Sequence, residues 1–244
     1  MKIALCLSGY FNSSRDKNSL GIDGYEHIKK HILDGNDVDI YIHSWDLHNQ
    51  GIIEKIYGHL IKSSIFEAQI DFKPNFIKNG LNNFPIHYGA TPFWNVFSQY
   101  YSVQKSFELM INYNVYYDCV IKSRFDLGRI NRNTSGPHNL QNPYPVQCIN
   151  FDLNLDMTKF YMANWQYLET EGPADMWFYS NKENMSNFSK IYDILSNDIK
   201  INSEYQKWAG SNDGGMVNTI KCWKWFLLKT NLWHKKIALE TKWE

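Results

Sequence analysis

The sequence predicts a single α/β domain in which helices flank a mostly parallel central sheet. The chain opens with a strand, a helix and a second strand over residues 2–45, and parallel sheets are built from such units. A later apolar stretch, residues 117–127, is typical of a buried strand. No linker rich in proline, glycine or serine divides the 244 residues. One domain over 1–244 is therefore favoured, with 1–127 and 128–244 as its two halves.

The opening segments are assigned from their periodicity. A strand is predicted at residues 2–7, followed by a polar loop at 8–15 with a glycine at the turn. A helical pattern occupies 25–33, and its apolar face consists of Tyr25, Ile28, Ile32 and Leu33. The second strand, 37–45, alternates apolar and polar side chains and also ends in polar groups. Neither GxGxxG nor a P-loop lysine motif occurs, so dinucleotide and Walker-type phosphate binding are not expected.

The middle of the chain is predicted to contain one long helix. Three segments precede it: a helix at 52–60, a strand at 64–70 and a loop at 73–89. The long helix begins at Thr91, as the N-cap, has Pro92 in its first turn and ends near Asn112. Its apolar face contains five residues: Phe93, Phe97, Tyr100, Phe107 and Ile111. Gln99 and Lys105 lie off this face and are expected to be in solvent.

The strand predicted at 117–127 ends in a charged tip. Arg124 and Asp126 alternate along the chain, so in extended geometry their side chains point to the same side. In open α/β sheets, ligands collect at the carboxyl ends of strands. A carboxylate there can hold a divalent cation against a diphosphate, and an arginine can clamp a phosphate oxygen. The alternative is a structural Arg–Asp pair that closes the strand end, and the segment alone favours neither.

The second half begins with a polar, turn-rich stretch at 128–145, where a substrate lid or an acceptor surface is expected. Further elements are assigned from short patterns: strands at 146–151, 159–163 and 175–179, helices at 182–195 and 216–222, and a turn at 210–215. Asn202-Ser203-Glu204 opens another helix in the manner of a capping box, which is the favoured role of Glu204.

Composition excludes some classes of function. Lysine plus arginine and aspartate plus glutamate both number 25, so the formal net charge is zero. Because nucleic-acid binding normally needs a basic surface, no nucleic-acid partner is expected. The four scattered cysteines show no metal-binding spacing and indicate a reducing cytosol. Since neither a run of 18 apolar residues nor a signal-peptide pattern occurs, a cytoplasmic protein is expected.

The C-terminal segment, residues 221–244, is rich in tryptophan and lysine. It contains four tryptophans, six lysines and two glutamates. The favoured interpretation is an edge strand with a packed tail and solvated lysines. The alternative is a basic, aromatic surface that makes a peripheral contact with anionic lipid or with a lipid-linked acceptor at the membrane.

Four segments in this order resemble one family of proteins. They are residues 2–9 (KIALCLSG), 37–46 (DVDIYIHSWD), 117–127 (YDCVIKSRFDL) and 174–180 (ADMWFYS). The third is the strongest match, and together they span most of the chain. The chain resembles the small glycosyltransferases of surface-polysaccharide gene clusters, the lipopolysaccharide-synthesis and capsule type with a GT-A fold.

This resemblance implies a hexosyltransferase-like enzyme with a nucleotide-sugar donor and a glycan or lipid-linked saccharide acceptor. The nucleotide would bind in the first half of the chain and the acceptor in the second. Ser8, Gly9 and Arg15 would then contact the nucleotide, and Asp46 would lie near the base or ribose. His43 belongs to the same strand end, where a packed side chain and a ligand contact fit the pattern equally well.

The resemblance also places the family's Asp-x-Asp metal motif at Arg124-Phe125-Asp126, where an arginine replaces the first carboxylate. Asp126 is the expected catalytic carboxylate and ligand of Mn²⁺ or Mg²⁺, unless Arg124 itself neutralises the diphosphate. Asp175 is the expected catalytic base or acceptor-binding carboxylate, and its alternative is a turn carboxylate after Gly172-Pro173. A non-catalytic nucleotide- or sugar-binding protein on the same fold is the second interpretation, because the first carboxylate is missing.

Overall fold

The protein is described by a computed structural model. It describes residues 1–12, 20–81, 87–88, 91–92, 94–128, 130–131, 144–145, 148–164, 172–210 and 219–240. Predictions made for Arg15, Phe93 and most of the stretch at 128–145 lie outside the described residues.

A seven-stranded sheet forms the centre of the protein. Its strands are β1 (Lys2–Gly9), β2 (Asp37–Ser44), β3 (Ile61–Phe66), β6 (Cys119–Arg124), β9 (Phe160–Ala163), β10 (Phe178–Ser180) and β11 (Lys236–Leu239). They are arranged in the order β11-β9-β10-β6-β1-β2-β3. All neighbours run parallel except β10, which is antiparallel to both β6 and β9. The predicted α/β class and mostly parallel sheet are confirmed.

Two pairs of short strands and a set of α-helices accompany this sheet in the described ranges. Two short antiparallel pairs are β4 (His87–Tyr88) with β5 (Thr91–Pro92), and β7 (Ile130–Asn131) with β8 (Tyr144–Pro145). The helices are α1 (Leu20–Ile28), α2 (Gln50–Tyr57), α3 (Lys73–Lys78), α4 (Asn95–Asn112), α5 (Lys182–Phe188), α6 (Ile191–Asp198), α7 (Glu204–Ala209) and α8 (Thr219–Lys229). Of the helices in the described ranges, none combines the length and the apolar character needed to cross a membrane.

Helices cover both faces of the sheet, and two apolar layers result. Along β1, Ala4 and Cys6 belong to the layer that contains residues of α4, α6 and α8. Ile3, Leu5 and Leu7 belong to the layer that contains residues of α1 and α2. Because successive strand residues point to opposite faces, β1 is buried on both sides. It therefore forms the middle of the core.

The strand order reverses at β1. The chain runs from β1 outward through β2 to β3, and then returns to the other side of β1 as β6. In the parallel register, Ser8 lies opposite His43 of β2 and opposite Arg124 of β6. Ligands of open α/β sheets bind where the strand order reverses in this way. The charged tip of β6 therefore lies at the expected binding edge.

The elements with strong periodicity confirm their predictions. β1, β2 and β9 coincide closely with the strands predicted at 2–7, 37–45 and 159–163. Ile28 and Ile32 are buried, as their helical face requires. In the C-terminal segment, β11 is an edge strand, and Trp223 and Trp233 are buried. This agrees with a packed tail, and the peripheral membrane contact stays a prediction.

The region between β2 and α4 differs from its prediction. β3 begins at residue 61 rather than 64. Part of the expected loop is the helix α3. Pro74 lies in its first turn, where the N–H that proline lacks would have no partner within the helix. Thr91 and Pro92 form β5, not the start of the long helix, which begins at Asn95. The extended backbone that a residue before proline prefers explains the strand at Thr91. Ile111, expected on the buried face, is 39% exposed.

Three predictions in the second half also differ from the structure. The helix expected at 182–195 is divided into α5 and α6 by a turn at residues 189–190, and this turn lets Phe188 and Ile191 both be buried. The described part of the expected strand at 146–151 is not a strand. Side chains bind its carbonyl groups instead, since Trp177 Nε1 donates to Cys148 O and the Tyr179 hydroxyl donates to Asn150 O. The third expected strand begins later, at Phe178.

Candidate functional site

Arg124 and Asp126 form a bidentate ion pair at the end of β6. The strand ends at Arg124, and residues 125–128 turn back. Arg124 Nε donates to Asp126 Oδ1 at 2.8 Å, and Nη2 donates to Oδ2 at 2.7 Å. The two side chains therefore meet as predicted, but through a turn and not through extended geometry. A bidentate arginine–carboxylate pair is among the strongest charge-assisted contacts in proteins.

Asp175 approaches the same guanidinium from a different part of the chain. Arg124 Nη1 lies 3.4 Å from Asp175 Oδ1 and 3.3 Å from Oδ2. The side-chain amide of Gln99, on α4, also donates to Asp175 Oδ2. The side chains of Arg124 and Asp175 are 33% and 22% exposed, whereas that of Asp126 is 11% exposed. The solvent side of this cluster therefore presents one arginine and one carboxylate.

The electrostatic surroundings keep Arg124 and Asp175 ionised. Burial alone would raise the pKa of Asp175, but Arg124, Lys122 and the Gln99 hydrogen bond outweigh it and hold this pKa below its ordinary value. The pKa of Arg124 is raised, mainly by the charge of Asp126. At neutral pH, Asp175 is a carboxylate that accepts hydrogen bonds readily and takes up a proton weakly.

Lys122 lies beneath this cluster, two residues before Arg124 on the same face of β6. Its side chain is buried, and its ammonium group donates to the main-chain oxygens of Asp175 and Met176. Burial lowers the pKa of Lys122 to about 8. Neither Lys122 nor Gln99 was expected at the site. A lysine inside an apolar strand was a visible signal, but nothing in the sequence pointed to Gln99.

The turn after β1 is held by side chains of β2 and α4. The Gly9 N–H donates to Ser102 Oγ at 2.9 Å, and Ser44 Oγ donates to the Gly9 carbonyl at 2.8 Å. Gly9 has a φ of +97°, which suits glycine and few other residues. Ser8 is buried directly before it. The end of β1 is therefore a fixed backbone edge beside Arg124, and its contact with a nucleotide stays a prediction.

His43 is completely buried at the end of β2. Its Nδ1 lies 2.8 Å from Ser102 Oγ, and its Nε2 lies 2.9 Å from Glu67 Oε1. Burial lowers the pKa of His43, although Glu67 opposes this shift. A neutral imidazole can donate from Nε2 to Glu67 and accept at Nδ1 from the Ser102 hydroxyl, which also lies 3.2 Å from the His43 carbonyl oxygen and can donate its one proton there instead. His43 thus supports Ser102, which in turn holds the Gly9 turn. Direct contact of His43 with a nucleotide-sugar donor stays a prediction.

Asp46 follows the same strand and is engaged by neighbouring amides. It accepts the Asn12 N–H at 3.1 Å, the Asn49 side-chain amide at 2.8 Å and the Asn49 N–H at 3.3 Å. The last contact caps the short helical turn at 47–49. Asp46 therefore connects the loop after β1 to the loop after β2. This position is compatible with the expected contact to a base or ribose, which stays a prediction.

The cluster does not by itself form a cation site. In the described ranges, no group of three or more histidine, cysteine, aspartate or glutamate residues is placed to hold a metal ion. Both oxygens of Asp126 accept from Arg124, so a divalent cation there would have to displace the guanidinium. The described residues fit Arg124, and not a cation, as the partner of Asp126.

No protein-family model matches this sequence, and no curated protein matches it.

The structure thus brings together the residues that the sequence predicted from distant segments. Ser8, Gly9, Arg124, Asp126 and Asp175 lie at one edge of the sheet, around the point where the strand order reverses. His43 and Asp46 lie at the neighbouring strand end. The arrangement offers a fixed backbone turn, a partly exposed guanidinium and an ionised carboxylate. These groups can bind an anion and orient a hydroxyl group next to it.

Proposed function

We propose that the protein is a GT-A-type glycosyltransferase that moves a sugar from a nucleotide-sugar donor to a glycan or lipid-linked saccharide. One observation supports this proposal above the others. Arg124, held between Asp126 and Asp175, lies beside the Ser8–Gly9 turn at the reversal of the strand order. A leaving diphosphate needs positive charge and a fixed backbone edge, and an attacking hydroxyl needs a carboxylate nearby. The cluster supplies all of these.

In this proposal, Arg124 binds the diphosphate of the donor. Its guanidinium is one-third exposed, and the two carboxylates keep it ionised. The contacts of Nη1 with Asp175, at 3.3 and 3.4 Å, are longer than those with Asp126. Nη1 is therefore the part of the guanidinium that turns most easily to a phosphate oxygen. Asp126 retains the other side of the arginine and fixes its plane.

Donor binding would also change Asp175. With the donor absent, Arg124 contributes to the low pKa of this carboxyl group. When a diphosphate takes up that charge, the pKa of Asp175 rises and the carboxylate becomes a better base toward an acceptor hydroxyl. Base strength is thus linked to the presence of the donor. This order of events limits proton transfer before the leaving group is bound.

A non-catalytic nucleotide- or sugar-binding protein is the second candidate. The observation that favours it is that both carboxylates are already engaged by cations, since Asp126 pairs with Arg124 and Asp175 lies near Arg124 and Lys122. Such a protein would bind a nucleotide without turning it over. The two candidates therefore differ in turnover and not in affinity.

The first experiment is calorimetric binding of UDP, GDP, CDP, CMP and their common sugar conjugates, each with and without Mn²⁺. Metal-dependent binding of one nucleotide supports a nucleotide-sugar site with a cation at Asp126. Metal-independent binding supports such a site with Arg124 as the diphosphate partner, and turnover then separates the two candidates. If none of these ligands binds under either condition, the nucleotide-sugar hypothesis is wrong.

The second experiment measures slow hydrolysis of the bound donor without acceptor. Asp175→Asn is expected to reduce turnover by about 10²–10⁴-fold, because a general base contributes that much, and to retain nucleotide binding. Asp126→Asn is expected to weaken binding as well, because it releases Arg124. Asp37→Asn is the matched control, since Asp37 begins β2 at the opposite edge of the sheet and its side chain is 67% exposed. Unchanged turnover in Asp175→Asn contradicts the assignment of the base.

A further inference from the structure

Lys122 is a buried cation whose hydrogen-bond partners are main-chain atoms. Its side chain is 1% exposed and projects from β6 on the same face as Arg124. The ammonium donates to the carbonyl oxygens of Asp175 and Met176, the latter at 3.3 Å. In the described part of the chain, no carboxylate lies within ion-pair distance of it. Burying a charge in this way costs several kcal/mol, so an apolar side chain would be the simpler choice for stability.

The two carbonyl groups that Lys122 binds lie just beyond the last residue pair of the antiparallel β6–β10 ladder. β10 pairs with β6 at Ser180–Val120, Tyr179–Ile121 and Phe178–Lys122, and the pairing stops there. Residues 175–176 form a bend before the strand, and no main-chain partner for their carbonyl groups occurs among the described residues. Buried carbonyl groups require a donor. The Lys122 side chain supplies it where the main chain of β6 no longer does.

Aromatic rings restrict the ammonium group to this place. Its Nζ lies 5.5 Å from the ring centre of Phe178 and 5.4 Å from that of Trp223. Both rings are completely buried. Cation–π attraction is strengthened when the cation is desolvated. Lys122 is therefore held by β10 and α8 while it binds the 175–176 main chain, so the position of that bend depends on it.

We propose that Lys122 is a positioning residue, which anchors the 175–176 main chain so that the Asp175 carboxylate faces Arg124. Lys122 holds the backbone of Asp175, while Arg124 and Gln99 hold its carboxylate. The significance of this position for turnover rests on the proposed function. The anchoring itself does not, and it can be measured in the protein without any ligand.

The test compares Lys122→Met with Lys105→Met. Methionine nearly matches the lysine stem and removes the ammonium. Lys105 is a partly exposed lysine of α4 that pairs with Glu108, and it provides the same chemical change outside the cluster. In Lys122→Met, nucleotide affinity is expected to be unchanged and donor turnover to fall by about 10²-fold, because the base is displaced and the phosphate site is kept. Lys105→Met is expected to leave both unchanged.

A second readout does not depend on activity. The ¹³C resonance of the Asp175 carboxyl group, assigned by its loss in Asp175→Asn, is expected to shift in Lys122→Met and to stay in place in Lys105→Met. If the wild-type protein binds no nucleotide, the proposed function fails, but this resonance still tests the anchoring. If the Asp175 resonance does not shift in Lys122→Met, the proposal is wrong. If the wild-type protein turns over its donor, the proposal is also wrong when the resonance shifts but Lys122→Met retains full turnover.

A measurement on the wild-type protein covers the case in which Lys122→Met does not fold. The Lys122 ammonium is expected to show hydrogen-bond couplings to the carbonyl carbons of Asp175 and Met176 in a ¹⁵N-resolved spectrum at a pH below the pKa of about 8. Detection of both couplings supports the anchoring. An ammonium in fast exchange with solvent, without these couplings, overturns it.

Discussion

Lys122 and Arg124 are two cations on one face of one strand, and their surroundings shift their pKa values in opposite directions. Burial lowers the pKa of Lys122 to about 8, whereas the charge of Asp126 raises the pKa of Arg124. Only Arg124 reaches solvent to an appreciable extent, at 33% of its side chain. Lys122 can therefore act on a ligand only through the main chain it holds, while Arg124 can contact the ligand itself.

This difference predicts a pH dependence of stability that arises from Lys122. The pKa of Lys122 is about 8 in the folded protein, whereas an unperturbed lysine, as in the unfolded chain, has a pKa of 10.5. From pH 8 to pH 10.5 the unfolded chain binds a proton that the folded protein has lost, so the free energy of unfolding rises with pH. Below pH 8 the lysine is charged in both states and adds no slope. Relative to Lys122→Met, the wild-type protein is expected to gain about 3 kcal/mol across this window.

Urea unfolding of both proteins across that pH range provides the measurement. Tyrosine and cysteine residues also titrate there, but the two proteins share them, so their contribution cancels in the difference between the two free energies. A difference that stays constant from pH 8 to pH 10.5 would show that Lys122 is not desolvated in the folded protein.

At the scale of elements, α1 packs unusually close to the turn that carries Asp126. A Cβ atom at Gly24 would lie 1.8 Å from the carbonyl oxygen of Phe125. The main chain of the turn therefore approaches the helix where only glycine leaves room. This contact, together with the buried side chain of Phe125, sets the direction in which the chain leaves β6. The ion pair of Arg124 depends on that direction.

Gly24→Ala is therefore expected to lower the free energy of unfolding by about 3 kcal/mol or more, because backbone atoms must move to remove the clash. Gly51→Ala in α2 is the matched control, since nothing lies within 4 Å of its added Cβ. There the substitution is expected to stabilise the protein by at most about 0.5–1 kcal/mol, the gain known for a helix interior, because Gly51 lies in the first turn of α2. Urea unfolding of both variants measures the effect, and equal effects would refute the close approach.

At the scale of the whole molecule, one sheet passes through both halves of the chain. β10 and β9 come from the second half, yet β10 pairs directly with β6 of the first half. The apolar layer around α4 likewise combines residues of both halves, such as Phe107 and Trp223. Residues 1–127 and 128–244 therefore share a core, and neither half can unfold without exposing part of the other.

This arrangement predicts one cooperative unfolding transition in urea. Tryptophan fluorescence reports on both halves, through Trp45 in the first and Trp177 and Trp223 in the second, all of which are buried. Far-UV circular dichroism reports on the helices and strands together. The two signals are expected to coincide at every urea concentration. Separate midpoints would indicate two independently folding units and contradict the shared core.

The prediction of β2 depends on a local sequence pattern and succeeded, whereas the prediction for Gln99 depends on contacts between distant residues and did not. The alternation of Val38, Ile40 and Ile42 is a local property, and it predicted β2 correctly. The contact of Gln99 with Asp175 joins residues 76 positions apart, and helical periodicity alone assigned Gln99 to solvent. The turn of α4 that faces the cluster depends on how Phe97 and Tyr100 pack into the core. Periodicity describes a helix and not its neighbours.

The sequence by itself determined the α/β order of elements, the main strands and a short set of charged candidates, because periodicity and turn residues act over a few positions. Only the tertiary structure decided which candidates meet. Arg124 and Asp126 are two residues apart, and a turn joins them, whereas Asp175 reaches Arg124 across 51 positions through the insertion of β10 beside β6. Contacts over such separations depend on the packing of the whole core, which no local pattern of residues encodes.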